Sequence, residues 1–259
     1  NKMGDLNFYM ILAGFSFSLL ILWSGIGAGV LVIPTLITLF HIDPLVAVAS
    51  GSAFAFIAKI LMTFGHARHG SVDWRAAIQF LKICLPLTVA TAATMAVLSH
   101  SHQGPLLELT IVIAIITAGL LALTALLSTR SKAIISTWPM FSLSGVTGLL
   151  TGLTGVGGGV MVVPALATTG GLPIKIAVAT SIPIGLILSL SVSITLGSSG
   201  LLDYQLILSL MLGAVIAIPL GTRMLHLFSD RLIKQITCGL IGLVLIDLII
   251  QAIDLTTGI

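Results

Sequence analysis

The chain has 259 residues, 57% of them hydrophobic and 7% charged, with a formal net charge of +3 and a mean hydropathy of +1.21. Soluble domains carry roughly 25% charged residues, so this is the composition of an integral membrane protein, and its apolar runs leave no room for a soluble domain acting on a water-borne macromolecule. The basic residues stand singly between apolar segments rather than in a patch with interleaved aromatics; they read as topology markers, and nucleic acid is not expected as a partner.

In chain order, Phe8 to Ser24 is a first membrane segment, and no A-x-A site follows it that would mark a cleavable leader. It runs into Gly25-Ile26-Gly27-Ala28-Gly29, after which Val30 to Phe40 is apolar but short. At 1.5 Å per residue that run covers about 16 Å of a hydrocarbon core about 30 Å thick, half of a span. His41 to Pro44 is a turn signal, Leu45 to Phe64 is long enough to cross, and Gly65 to Asp73 is a polar loop. Trp74 to Leu98 and Leu106 to Leu127 are further spans, and Ser128 to Thr137 is a polar connection. The remainder follows the same plan: Trp138 to Thr154, a second glycine turn Gly155 to Gly159, a short run Val160 to Thr169, a turn at 170 to 173, then spans Ile174 to Leu196, Asp203 to Leu227 and Leu232 to Ile253. Cys84 and Cys238 both fall inside apolar segments and form no disulfide or metal framework. His66 and His69, and His100 and His102, are read as solvated loop residues, so no metal and no cofactor is expected.

The plan is a duplication at a fixed offset of 130 residues. Gly27 and Pro34 answer to Gly157 and Pro164, Ala47 to Ser50 answers to Ala177 to Thr180, and Gly70 with Asp73 answers to Gly200 with Asp203. Small-residue spacing alone is common wherever membrane helices pack, but several landmarks at one offset indicate internal repeats, 1–130 and 131–259, together forming one transport domain. Glycines and a proline inside an apolar run have a further implication. Unpaired backbone amides cost several kcal/mol each in lipid, so broken helix belongs where protein covers it or a cavity solvates it.

At these residues the chain resembles the sulfite exporter TauE/SafE family, also called the four-toluene sulfonate uptake permease family. The resemblance rests on the twice-written Gly-x-Gly-(Gly/Ala)-Gly-x4-Pro, on the Ala-x-Ala-(Ser/Thr) segments after Pro44 and Pro173, and on Pro219 to Arg223 with Ser229-Asp230-Arg231. It covers nearly the whole chain. It implies a bacterial inner-membrane transporter of a small sulfur-containing oxyanion, sulfite or an organosulfonate. The first motif departs in having Ala28 where the second has Gly158.

An oxyanion in a low-dielectric core needs donors that replace its water, and backbone N–H groups at a helix amino end supply them together with about half a positive charge. Gly27, Gly29, Gly157, Gly158 and Gly159 let backbone approach such a ligand, while Pro34 and Pro164 are candidate structural hinges in the short helices. The competing reading is that the glycines only allow tight helix crossing. Hydroxyls at Ser50, Ser52, Thr180 and Ser181 are candidate side-chain partners, against the common fate of a back-bond to a carbonyl one turn earlier. Lys59 is an ionisable residue inside a span and an apt partner for a sulfonate, yet it lies six residues before Gly65, about 9 Å along a helix, so snorkelling to the interface is the simpler reading.

The expected protein is thus an all-α secondary carrier working by alternating access, with an anion channel as the alternative and a membrane-embedded enzyme disfavoured for want of a nucleophile-and-base constellation. A coupling proton or sodium ion and a homodimer are compatible with it. If the short runs merely extend their neighbours, the repeats are parallel and the basic loop residues split almost evenly between the two faces. If each short run reverses the chain, Arg68, Arg75, Arg130, Lys132, Lys175, Arg223, Arg231 and Lys234 share one face with only Lys2 opposite. That asymmetry is the cytoplasmic excess of short loops. It predicts two inverted-topology repeats of about five segments each, with both termini outside.

Overall fold

The computed structural model describes residues 2–24, 29–68, 72–99, 104–127, 139–155, 159–168, 170–224 and 230–257. Among them the only regular structure is helical, in ten helices. The first five are α1 (Lys2–Ser24), α2 (Gly29–Thr38), α3 (Pro44–Arg68), α4 (Trp74–Ser99) and α5 (Gly104–Leu127). The second five are α6 (Met140–Thr154), α7 (Gly159–Thr168), α8 (Ile174–Gly197), α9 (Tyr204–Met224) and α10 (Asp230–Thr257).

Both short runs are separate helices of 10 residues, about 15 Å at helical rise and so half of a bilayer core. α2 is packed on all sides: Leu31 through Thr38 are all buried. Pro34 and Pro164 lie inside these half-helices, where each removes one i→i−4 hydrogen bond. A freed carbonyl of this kind is tolerated at membrane depth only where protein or water covers it.

Trp74–Ser99, Ile176–Gly197 and Tyr204–Gly221 are each long and apolar enough to cross a membrane, with mean hydropathies of 1.8, 2.0 and 1.9. The outer face of α9 shows how such a span meets lipid. Tyr204, Leu208, Leu212, Val215, Ile216 and Leu220 recur at helical spacing and are exposed, while Leu206, Leu210, Ala214 and Ala217 on the other side are buried. Several helices run past the apolar segments expected from sequence: α1 begins at Lys2 rather than near Phe8, and α10 extends from Asp230 to Thr257. Hydropathy stops at the first polar residues, whereas backbone hydrogen bonding continues past them.

Packing pairs the two halves. α1 lies along α9, α4 along α6, α3 along α8 and α5 along α10. With α1 to α5 matched to α6 to α10, the α1–α9 contact is the counterpart of the α6–α4 contact, and the α3–α8 and α5–α10 contacts are their own counterparts. Close approach at these crossings needs glycine. A Cβ on Gly148 would lie 2.6 Å from the Cys84 carbonyl oxygen, so α6 rests directly on the α4 backbone.

Candidate functional site

The middle of the molecule is the seam between α3 and α8. Asp73 and Asp203 cap the next helices, their Oδ1 atoms accepting the N–H of Ala76 and of Leu206, both at 3.0 Å. Each capping residue also donates its own amide to a hydroxyl of the other half: Asp203 N–H to Ser50 Oγ and Asp73 N–H to Thr180 Oγ1, both at 2.9 Å. Ser50 is near the start of α3 and Asp203 lies just past the end of α8, while Asp73 lies just past the end of α3 and Thr180 near the start of α8. The two helices therefore run in opposite directions along their contact.

Between these two ties stands Lys59. Its Nζ donates to Ser189 Oγ at 3.0 Å and to the Gly185 carbonyl at 3.2 Å, and the side chain is only 5% exposed. The snorkelling expectation is thereby corrected. Distance along the helix would let Lys59 reach the interface, but its position around the helix points it into the seam, where a hydroxyl and a carbonyl hold it. Ser189 is the residue at the matching position of the second repeat.

The four candidate hydroxyls have different fates. Ser50 and Thr180 accept the two interhelical amide bonds, and Ser181 Oγ donates back to the Val178 carbonyl at 2.7 Å. Ser52 is wholly buried and its Oγ has no hydrogen-bond partner among the described residues. A buried hydroxyl left unpaired costs about 1–3 kcal/mol, so this one calls for a partner beyond them.

Its surroundings indicate where that partner sits. Gly155 ends α6 in the left-handed conformation, φ 61°, with its N–H on the Thr151 carbonyl at 2.8 Å. A Cβ built on Gly155 would meet Ser52 Oγ at 2.5 Å and Ile33 Cδ1 at 2.9 Å. Thus the second glycine turn sets out against Ser52 of the first half, and four residues later Gly159 opens the amino end of α7. Gly29 is buried at the start of α2. Gly27, Gly157 and Gly158 lie outside the described residues. Sequence reasoning counted Gly155 in the glycine turn but not among the candidate ligand residues, and it did not single out Thr63, whose Oγ1 is also buried and has no partner among the described residues; the signal for Thr63 is its place one turn after Lys59.

The sulfite exporter TauE/SafE family model matches residues 10–248. A probable membrane transporter protein of Methanocaldococcus jannaschii is 28% identical over 247 residues, covering 90% of this chain and 91% of the relative. The probable membrane transporter protein YjnA of Bacillus subtilis is 24% identical over 245 residues, covering 90% of this chain and 95% of the relative. No solved structure matches. A match that runs from α1 into α10 takes in both half-helices and the whole α3–α8 seam, and the chain accordingly belongs to the sulfite exporter TauE/SafE family of membrane transporters.

Proposed function

We propose that this protein is a secondary carrier for sulfite or a small organosulfonate anion, alternating access around a site between the second glycine turn and α3. The observation that carries the reading is Ser52, a fully buried hydroxyl without a partner among the described residues and beside Gly155, where the turn that leads to the amino end of α7 begins. A sulfur oxyanion would accept from that hydroxyl and from the backbone N–H groups of the turn, with the helix dipole adding favourable charge. Gly27, Gly29, Gly157, Gly158 and Gly159 belong to this site in the proposal. Ser50, Thr180 and Ser181 act behind it, in holding the seam.

Alternating access follows from inverted repeats, and the opposite directions of α3 and α8 support them. Two matching helices that pack antiparallel are related by a two-fold axis perpendicular to their length, which for membrane-spanning helices lies in the membrane plane. In that arrangement the basic loops favour an inner-membrane protein with both termini on the outer face. A coupling proton or sodium ion would supply the driving force.

The test is thermal unfolding of purified protein with sulfite, sulfate, thiosulfate, sulfoacetate, taurine and methanesulfonate. A ligand that binds only the folded state raises the melting temperature. At least one of these anions is expected to do so, and Ser52→Ala to abolish the rise without lowering the melting temperature of the ligand-free protein. No response to any of them would overturn the anion site.

A further inference from the structure

We infer that Lys59 sets the charge of the transported anion at one, so that the carrier takes monovalent sulfur oxyanions and rejects divalent ones; this rests on the anion site proposed above. Among the described residues Lys59 is the only buried Lys, Arg, Asp or Glu side chain. Its two partners, the Gly185 carbonyl and the Ser189 hydroxyl, carry no compensating negative charge. Of the helices packed on α3, namely α2, α5, α8 and α9, only α5 includes an acid, Glu108 near its first turn. A buried ammonium without a carboxylate is costly, and such a group inside a membrane protein belongs to a substrate path.

The hydroxyls around it have the same character. Ser52, Lys59 and Thr63 fall within about 40° of one another around α3 at 100° per residue and span about 16 Å of its length, and the hydroxyls of Ser52 and Thr63 are the ones left unpartnered on that helix. An ammonium with an unpaired hydroxyl to either side of it along one face lines a path that an oxyanion can follow through the seam. One positive charge neutralises one negative charge, leaving an ion pair of zero net charge to be carried through the low-dielectric core. Sulfate, thiosulfate and sulfoacetate each bring two negative charges at neutral pH and would leave one uncompensated. The matching position in the second repeat is the neutral Ser189, in contact with Lys59 itself, so the duplication supplies no second cation there.

The experiment compares methanesulfonate, which is monovalent, with sulfate at matched ionic strength, reading the affinity by calorimetry on the full-length protein in detergent. Wild type is expected to prefer methanesulfonate by about tenfold or more, one uncompensated buried charge being worth at least that much. Lys59→Met should lose that affinity by a similar factor, while Lys59→Arg and Ser189→Ala, which keep the charge, retain most of it. Ser189→Lys adds a second cation at the same point and should shift the preference towards sulfate. Equal affinity of wild type for the two anions, or unchanged methanesulfonate binding by a monodisperse Lys59→Met protein, overturns the inference. Should Lys59→Met fail to fold, the wild-type preference and Ser189→Lys still decide. If sulfate, thiosulfate or sulfoacetate binds and methanesulfonate does not, the anion site stands and the role given to Lys59 falls; if no sulfur oxyanion binds at all, both fall.

Discussion

Asp203 donates its amide to Ser50 at 2.9 Å, and the same bond at the same length joins Asp73 to Thr180, the partners of one bond displaced by 130 residues from those of the other. Reciprocity of this kind is the mark of a two-fold relationship: residue i meets j, and the match of j meets the match of i. Each bond pins the cap of one helix to the side of another, at opposite ends of the α3–α8 seam.

Removing either acceptor leaves a part-buried amide without its partner. Ser50→Ala and Thr180→Val should each cost about 1–3 kcal/mol, and the two costs should be similar because the sites are equivalent. Their separation predicts additivity to within about 0.5 kcal/mol in the double variant. Thermal melting in detergent measures all three; a markedly unequal pair would show that the two ends of the seam differ in strength despite equal geometry.

If those two ends face opposite sides of the membrane, the connections beside them are separated by the bilayer. In a Cys84→Ala, Cys238→Ala background, cysteines introduced at Ser71 and Ser199 should react with an impermeant maleimide from opposite sides in right-side-out and inverted vesicles. Labelling of both from one side would show that the repeats are parallel.

Helix contact is tested separately by two glycines of α6. A Cβ at Gly148 would collide with the Cys84 carbonyl oxygen at 2.6 Å, whereas at Gly145 it would meet only Leu87 Cδ1 at 3.6 Å, an ordinary contact. Gly148→Ala should therefore destabilise by about 1–3 kcal/mol as α6 is pushed off α4. Gly145→Ala should be neutral or stabilise by up to about 1 kcal/mol, since alanine is the better helix former. Melting temperatures that fall equally for both would place the α4–α6 contact elsewhere.

How much of this was legible beforehand depends on where the information lies. The half-helices could be read because glycines and prolines break an apolar run at two places, and α2 and α7 begin at Gly29 and Gly159 as that break requires. Asp73 and Asp203 could be matched as landmarks because an aspartate at a helix start is a local signal. Their bonds to Thr180 and Ser50 could not, since partners 107 and 153 residues apart meet only through the packing of helices whose faces are apolar almost all round. For the same reason the height of Lys59 along α3 was legible but its direction around the helix was not, and the snorkelling expectation failed on that missing angle. Ser52 differs from Ser181 in having no bond to its own helix, a difference invisible in residue type.

The contact between Ser52 and the second glycine turn can be isolated by a double-variant cycle. Gly155→Ala imposes three penalties. A side chain at φ 61° costs about 1–2 kcal/mol for an L-residue, and the new Cβ would sit 2.5 Å from Ser52 Oγ and 2.9 Å from Ile33 Cδ1. Ser52→Gly in the same chain removes the contact with Ser52 and leaves the other two. Gly155→Ala should thus be more destabilising alone than in the Ser52→Gly background, with a coupling energy of about 0.5–3 kcal/mol typical of residues in contact. Transport should respond differently, because the double variant regains space at the turn while lacking the hydroxyl that faces the anion. The expected result is partial recovery of the melting temperature with no recovery of anion uptake into liposomes. Strict additivity of the two stability changes would mean that Ser52 does not face Gly155 in the membrane, and recovery of uptake would remove the Ser52 hydroxyl from the anion site.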